Sequence, residues 1–166
     1  MAPVEVKQEG KVENLGSQTQ IIVFKIGNEE YGLTIDVIKE VVVTPQITPV
    51  PLSPDYVLGV ANIRGNILSI VALDKCLKIK TEIFDSNQSY TLVLASQEFK
   101  VGLIVRDLPN TLSVFDNEID TQLINDSSFQ QSHLKGLVKK GNRIIILIDV
   151  FKILDNSIEM LPEIKN

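Results

Sequence analysis

The chain has 166 residues, 44% of them hydrophobic, and a net charge of −5. That composition supports a sizeable core, excludes global disorder, and leaves no basic stripe to neutralise nucleic-acid phosphates. Aromatic residues make up 5% with no Trp, so a base-stacking platform is excluded too.

Residues 1–18 mix Glu, Lys, Gln, Gly and Ser without a period and read as a disordered tail. From Gln20 the pattern changes. Gln20 to Ile26 and Tyr31 to Thr34 are strand-like runs joined by the turn Gly27-Asn28-Glu29-Glu30. Ile35 to Val41 suits a short helical turn entering a strand, and Val41 to Thr44 is β-branched throughout. Pro45, Pro49, Pro51 and Pro54 then force an extended connection, because proline lacks the ladder donor. Ser53-Pro54-Asp55 predicts a capped helical turn.

Val57 to Leu73 is the stretch around which the chain is organised. Two apolar runs flank Arg64-Gly65-Asn66, and Gly65-Asn66 is the expected turn of a hairpin. Arg64 is a long cation at the tip of an apolar element. It reads either as a solvated turn residue or as a docking handle. Leu73 to Leu77 predicts a short helix and residues 80–89 a polar connector. Tyr90 to Ser96 and Phe99 to Val105 predict strands, Leu112 to Phe115 another, and 116–132 a long, mostly irregular loop. Leu134 to Lys139 and Arg143 to Ile148 form a last hairpin, followed by a helix over Asp149 to Leu154 and a polar tail at 157–166.

The halves repeat. A shift of 70 residues lays Tyr31-Gly32-Leu33 on Val101-Gly102-Leu103. With a short insertion, Gly59, Gly65-Asn66 and Leu73-Asp74 are echoed by Gly136, Gly141-Asn142 and Ile148-Asp149. In that register the second copy lacks Asn62 and Arg64, which sets those two residues apart from barrel geometry. Each half holds about five short strands, which suits a small closed barrel without exposed edges. The expected fold is all-β with a few short helices: two tandem five-stranded SH3-like β-barrels, about 19–83 and about 88–156.

Chemistry-bearing constellations are missing from the sequence. His133 is the only histidine and Cys76 the only cysteine, so no catalytic triad, His-rich metal site or disulfide framework can be assembled. There is no GxGxxG, P-loop or CxxC pattern, and 116–126 lacks calcium-loop spacing. Asp74 and Asp149 read as helix caps. No apolar run approaches the ~18 residues of a membrane helix, and the N-terminus lacks a secretory pattern. The expectation is a non-enzymatic binding protein with no cofactor, no metal, no nucleic-acid partner and no direct membrane insertion.

Asn62-Ile63-Arg64-Gly65 resembles the Asn-Leu-Arg-Gly motif of the CheW family. Gly27 to Leu33 is similar to that family's first hairpin, Ile35 to Val41 to its Val-x-Glu-Val segment, Gly102 to Val105 to its second Gly-hydrophobic arm, and Ile146 to Leu154 to its ending. The resemblance covers roughly 19–155. It implies an adaptor of bacterial chemotaxis, coupling the cytoplasmic tips of methyl-accepting chemoreceptors to the histidine kinase CheA. The expected location is cytoplasmic, at receptor arrays. It further implies that the kinase's regulatory domain binds barrel to barrel and that the receptor's helical hairpin lies between the barrels. By position, Ile38, Glu40, Gly59, Asn62, Arg64, Gly65 and Gly102 are the receptor- and kinase-binding candidates. Glu40 either contributes to the contact or orients Arg64. The glycines suit backbone geometry rather than contact.

Ser69, Ala72, Arg106 and Pro109-Asn110 depart from the family pattern, and Arg106 stands where Asp is customary. An alternative is therefore an adaptor of a paralogous pathway governing gliding or pilus motility. Another is a module cut from a larger CheV- or CheA-type protein, although Met1 and the polar end at Asn166 favour a complete chain.

Overall fold

Ile21-Ile22-Val23-Phe24 breaks the apolar–polar alternation of a half-exposed strand. Four consecutive buried side chains need apolar surroundings on both faces. The computed structural model describes residues 16–81, 88–122 and 133–157 and supplies both surroundings. Strand β1 (Gln18–Ile26) sends Ile21 and Val23 into one core and Ile22, Phe24 and Ile26 into another.

The chain continues with β2 (Glu29–Thr34), a 3-10 turn (Ile35–Val37), β3 (Ile38–Val43), β4 (Val57–Ile63), β5 (Asn66–Ala72) and helix α1 (Leu73–Cys76). The second half runs through β6 (Tyr90–Leu94), β7 (Val101–Val105), β8 (Asn110–Phe115), a 3-10 turn (Asp116–Glu118), β9 (Ile119–Asp120), β10 (Leu134–Lys140), β11 (Arg143–Ile148) and helix α2 (Val150–Ser157). The expected tail over 1–18 lies outside the described residues except for 16–18, and Gln18 already belongs to β1. The tail expected at 157–166 lies outside them after Ser157, which closes α2. Residues 82–87 of the connector and 123–132 of the long loop also lie outside.

The strands form a six-stranded sheet, β8-β1-β2-β11-β10-β9, and a five-stranded sheet, β3-β6-β7-β5-β4. Two barrel-like units are present, as expected. Their division at 19–83 and 88–156 is corrected. Hairpin β1-β2 joins the C-terminal strands, pairing antiparallel with β8 and parallel with β11. Hairpin β6-β7 joins the N-terminal strands, pairing with β3 and β5. The halves therefore exchange their first hairpins. A local apolar pattern makes a hairpin but does not name the edge on which it docks. The strand number is corrected as well: the six-stranded sheet adds the two-residue β9.

Three cores follow from the exchange. One fills the five-stranded unit around Ala61, Ile63, Leu68, Ile70 and Val93. A second fills the six-stranded unit around Ile21, Val23, Val114, Val138 and Ile145. The largest is the seam between the sheets, where Ile22, Phe24, Leu33, Leu92, Leu103, Val71, Ile148 and Leu154 meet. Alternate residues of β1, β6, β7 and β11 feed a barrel interior and the seam in turn.

The repeat is real, but its register differs from the expected one in the second hairpin. Both hairpins bulge at a glycine-bearing step, Val57/Gly59 in one and Leu134/Gly136 in the other. Ile63 faces Asn66 across one turn, and Lys140 faces Arg143 across the other. Arg64 is thus equivalent to Gly141, and Gly65 to Asn142. Two smaller expectations are also corrected. Ser53 caps no helix; its hydroxyl donates to the Val50 carbonyl at 2.7 Å. Asp74 does not cap α1; its carboxylate accepts the Thr81 hydroxyl at 2.7 Å. Asp149 does cap α2, accepting the Lys152 N–H at 3.2 Å.

Candidate functional site: the Arg64 corner

The turn between β4 and β5 consists of Arg64 and Gly65, not Gly65 and Asn66. Arg64 has φ 53° and Gly65 φ 83°, the pair of positive values that matches the twist of a two-residue hairpin. Asn66 is the first residue of β5. Asn62 Oδ1 accepts the Gly65 N–H at 2.9 Å and fastens the corner from the inside of the turn. Arginine has no special tolerance for a left-handed backbone, which costs an L-residue about 1 kcal/mol. The second copy places Gly141, φ 59°, at this position.

The backbone conformation aims the side chain. Arg64 Nε meets Glu40 Oε2 at 3.0 Å, with Arg64 76% exposed and Glu40 21% exposed. Glu40 lies on β3 and Arg64 at the end of β4, the two outer strands of the five-stranded sheet. The ion pair therefore joins the sheet's two edges and clasps the unit shut. Inside the same unit, Val42 packs on the core that holds Ile63. The six-stranded unit is clasped differently. Lys140 Nζ donates to the Ser113 carbonyl at 2.6 Å and stands 3.8 Å from Glu118.

The remaining candidates divide between contact and scaffold. Ile38, at the start of β3, is half-buried against the seam core and pairs with Leu94. Gly59 has φ 147°, and a Cβ there would lie 2.3 Å from the Thr48 carbonyl oxygen. Thr48 and Val60 exchange backbone hydrogen bonds of 2.8 and 2.9 Å. Gly59 thus lets the proline-rich connection cross β4. Gly136 does the same beneath β9, where a Cβ would meet Ile119 Cγ2 at 2.8 Å. At Gly102 a Cβ would meet Thr91 Cγ2 at 2.5 Å. The structure brings Glu40, Asn62, Arg64 and Gly65 together; Ile38 shares β3 with Glu40, Gly59 shares β4 with Asn62, and Gly102 lies in β7.

Cys76 and His133, set aside in the sequence, are both half-buried. Burial, reinforced by Asp55 and Asp74, pushes the Cys76 thiol up to about 12. Burial lowers the His133 pKa, and its carbonyl accepts the Asp149 N–H at 2.7 Å. Among the described residues no cluster of metal-ligating side chains occurs, and no helix is long and apolar enough to cross a membrane. A further ion pair, with no signal in the sequence, joins Arg143 to Glu30 with contacts of 2.8 and 3.1 Å. It ties the exchanged hairpin β1-β2 to β11, and Arg143 holds the Glu30 carboxyl below its ordinary value.

The fold is a duplicated, hairpin-exchanged pair of small barrels with a clasped corner at Arg64 and Glu40. The chain belongs to the CheW family: the model for the CheW-like domain matches residues 20–157. A chemotaxis protein CheW of Thermotoga maritima is 33% identical over 137 residues, covering 82% of this chain and 87% of that protein. A CheW of Helicobacter pylori is 31% identical, covering 89% and 86%. The crystal structure of the scaffolding protein TtCheW from Thermoanaerobacter tengcongensis superimposes with a TM-score of 0.69 at 27% identity, covering 80% of this chain and 90% of that one.

Proposed function

We propose that this chain is a non-enzymatic adaptor of bacterial chemotaxis that couples chemoreceptor cytoplasmic tips to the histidine kinase CheA. Family membership over residues 20–157 supports the adaptor role. The observation that carries the site is the Arg64–Glu40 clasp at a corner whose backbone would be easier with glycine. A costly conformation kept at an exposed corner points to function. Arg64 offers its planar guanidinium to a partner carboxylate or to carbonyls at a helix end. Glu40 orients Arg64 and holds β3 beside it. Ile38 contributes apolar area, worth about 1.5–3 kcal/mol if a partner buries it fully. Asn62 and Gly65 form the corner, and Gly59 and Gly102 keep β4 and β7 in place. The protein works in the cytoplasm at receptor arrays.

The test is co-sedimentation of purified protein with receptor-bearing membranes and kinase. Wild type is expected in the pellet with both. Arg64→Ala and Ile38→Asp are expected to weaken that recruitment. Normal recruitment and kinase activation by both variants would contradict the assignment of this surface.

A further inference from the structure

A cavity of about 850 Å³ opens at the end of the five-stranded sheet remote from the Arg64 corner. Val43 closes β3 and Val105 closes β7 at this end, and Tyr90 pairs with both. Ile38 stands at the other end of β3, paired with Leu94. Leu58, near the start of β4, lines the cavity, while Arg64 follows the last residue of that strand. At about 3.3 Å per residue the two stand roughly 20 Å apart. The cavity is therefore separate from the candidate site.

The lining divides by chemistry. Its apolar part holds Leu73, which is buried, and Ile47, Leu58 and Ile104, which are half-buried. Lys25, one residue before the end of β1, and Lys75, in α1, are exposed beside it. Neither lysine enters an ion pair among the described residues. Glu30, which faces Lys25 across β1 and β2, is held by Arg143. The one carboxylate of the lining, Asp74, accepts the Thr81 hydroxyl, and the Thr44 hydroxyl is bonded to that of Thr91. Arg106 also lines the cavity and already has an interaction of its own. Two lysines against one hydrogen-bonded carboxylate leave the lining positive, in a molecule whose net charge is −5.

We propose that this cavity binds a small amphipathic carboxylate, its acyl or aryl body against Ile47, Leu58, Leu73 and Ile104 and its carboxylate on Lys25 and Lys75. The volume falls among those of small-molecule sites, about 300–1,000 Å³, whose linings are mostly apolar with a few polar groups that fix orientation. Burial of the apolar body supplies the affinity. Lysine is a compact charge on a flexible stem, so two of them can turn from solvent onto one carboxylate while their methylenes cover the mouth. A neutral head group gains no charge-assisted bond there, and a cationic one is repelled.

The test titrates the full-length protein with decanoate, decanol and decyltrimethylammonium, each below the concentration at which it aggregates. Calorimetry gives the affinity and methyl NMR the location. Decanoate is expected to saturate one site per chain, with shifts gathered at Ile47, Leu58, Leu73 and Ile104. Decanol binds more weakly and decyltrimethylammonium most weakly. In Lys25→Gln/Lys75→Glu the affinity for decanoate falls at least about tenfold at ~50 mM salt, and decyltrimethylammonium now binds better than decanoate. The melting temperature stays near the wild-type value, because both lysines are exposed. Lys135→Glu/Lys152→Glu, a comparable change of charge on β10 and α2, leaves decanoate affinity unchanged. No saturable binding of decanoate, equal binding of the three head groups, a Lys25/Lys75 variant that binds as wild type does, or the same loss in the Lys135/Lys152 variant would overturn the proposal. So would a dimer of the free protein that broadens the same methyl signals and that decanoate does not dissociate, since the cavity would then serve a second copy.

Discussion

Arg64 and Gly141 occupy the same position in the two repeated hairpin corners, with φ of 53° and 59°. One copy fills a left-handed position with the residue suited to it. The other fills it with an arginine that reaches 3.0 Å to Glu40. Two substitutions separate the backbone from the charge. Arg64→Gly removes the ion pair but relieves the backbone, and its melting temperature is expected to match or exceed wild type. Arg64→Ala loses the pair and keeps the strain, and is expected to lose at most about 1 kcal/mol, because the pair is exposed. Both are expected to lose partner coupling. Thermal melts beside a co-sedimentation assay read the two effects separately.

The scaffold glycines should rank by what a Cβ would strike. Gly59→Ala meets the Thr48 backbone oxygen at 2.3 Å in a positive-φ conformation, and a loss of about 2–5 kcal/mol is expected. Gly27→Ala has open space and only the backbone penalty at φ 62°, about 1 kcal/mol. Gly102→Ala meets the Thr91 methyl at 2.5 Å, and about 1–3 kcal/mol is expected. Adding Thr91→Ser removes that methyl and keeps the hydroxyl pair with Thr44 at 2.9 Å, so the double variant should recover part of the loss. Urea unfolding of the four variants gives the order.

Exchanged hairpins make the halves inseparable without unfolding. A protease site engineered between Thr81 and Gln88 gives two fragments, yet each sheet contains strands from both. The nicked protein is expected to elute as one species at native pH and to separate only in denaturant. Fragments that part under native conditions would contradict the strand order.

The Arg143–Glu30 pair sets a pH dependence. The Glu30 carboxyl is held below its ordinary 4.5, first by the hydrogen bond from Arg143. A depressed carboxylate contributes stability that is present above the unfolded value and lost as pH falls through the folded one. Arg143→Ala should therefore melt slightly below wild type at pH 7, by at most about 1 kcal/mol at this exposed site. The difference should close as pH drops below about 4.5.

Cys76 should be inert. With the thiol pushed up to about 12 by burial, little thiolate exists at pH 8. Its reaction with a disulfide reagent is expected to be at least about a hundredfold slower than that of a free cysteine, and to reach the free rate in denaturant.

Much of this was legible in the sequence. The branched runs and glycines gave the hairpins, and Glu40 as an orienting partner for Arg64 was one of two readings of the residues. The exchange was not legible, because β1 pairs with β8 across some ninety residues and a strand's local pattern is the same whichever edge receives it. The sequence predicts the turn one residue too late because glycine-asparagine is the easier corner, whereas the structure puts Arg64 there at a positive φ. The equivalence of Arg64 and Gly141 follows from that one-residue shift. The Thr48–Val60 crossing was hidden among prolines that argue against any pairing.

The most direct measurement of the central claim is receptor-dependent autophosphorylation of the kinase, reconstituted with wild type, Glu40→Arg, Arg64→Glu and the double exchange. Wild type is expected to raise kinase activity on receptor-bearing membranes, and each single variant to lose most of that rise. The double exchange should recover stability without full coupling, since Arg64's charge would then stand on the wrong strand. Equal stimulation by all four proteins, or none by wild type, would contradict the account.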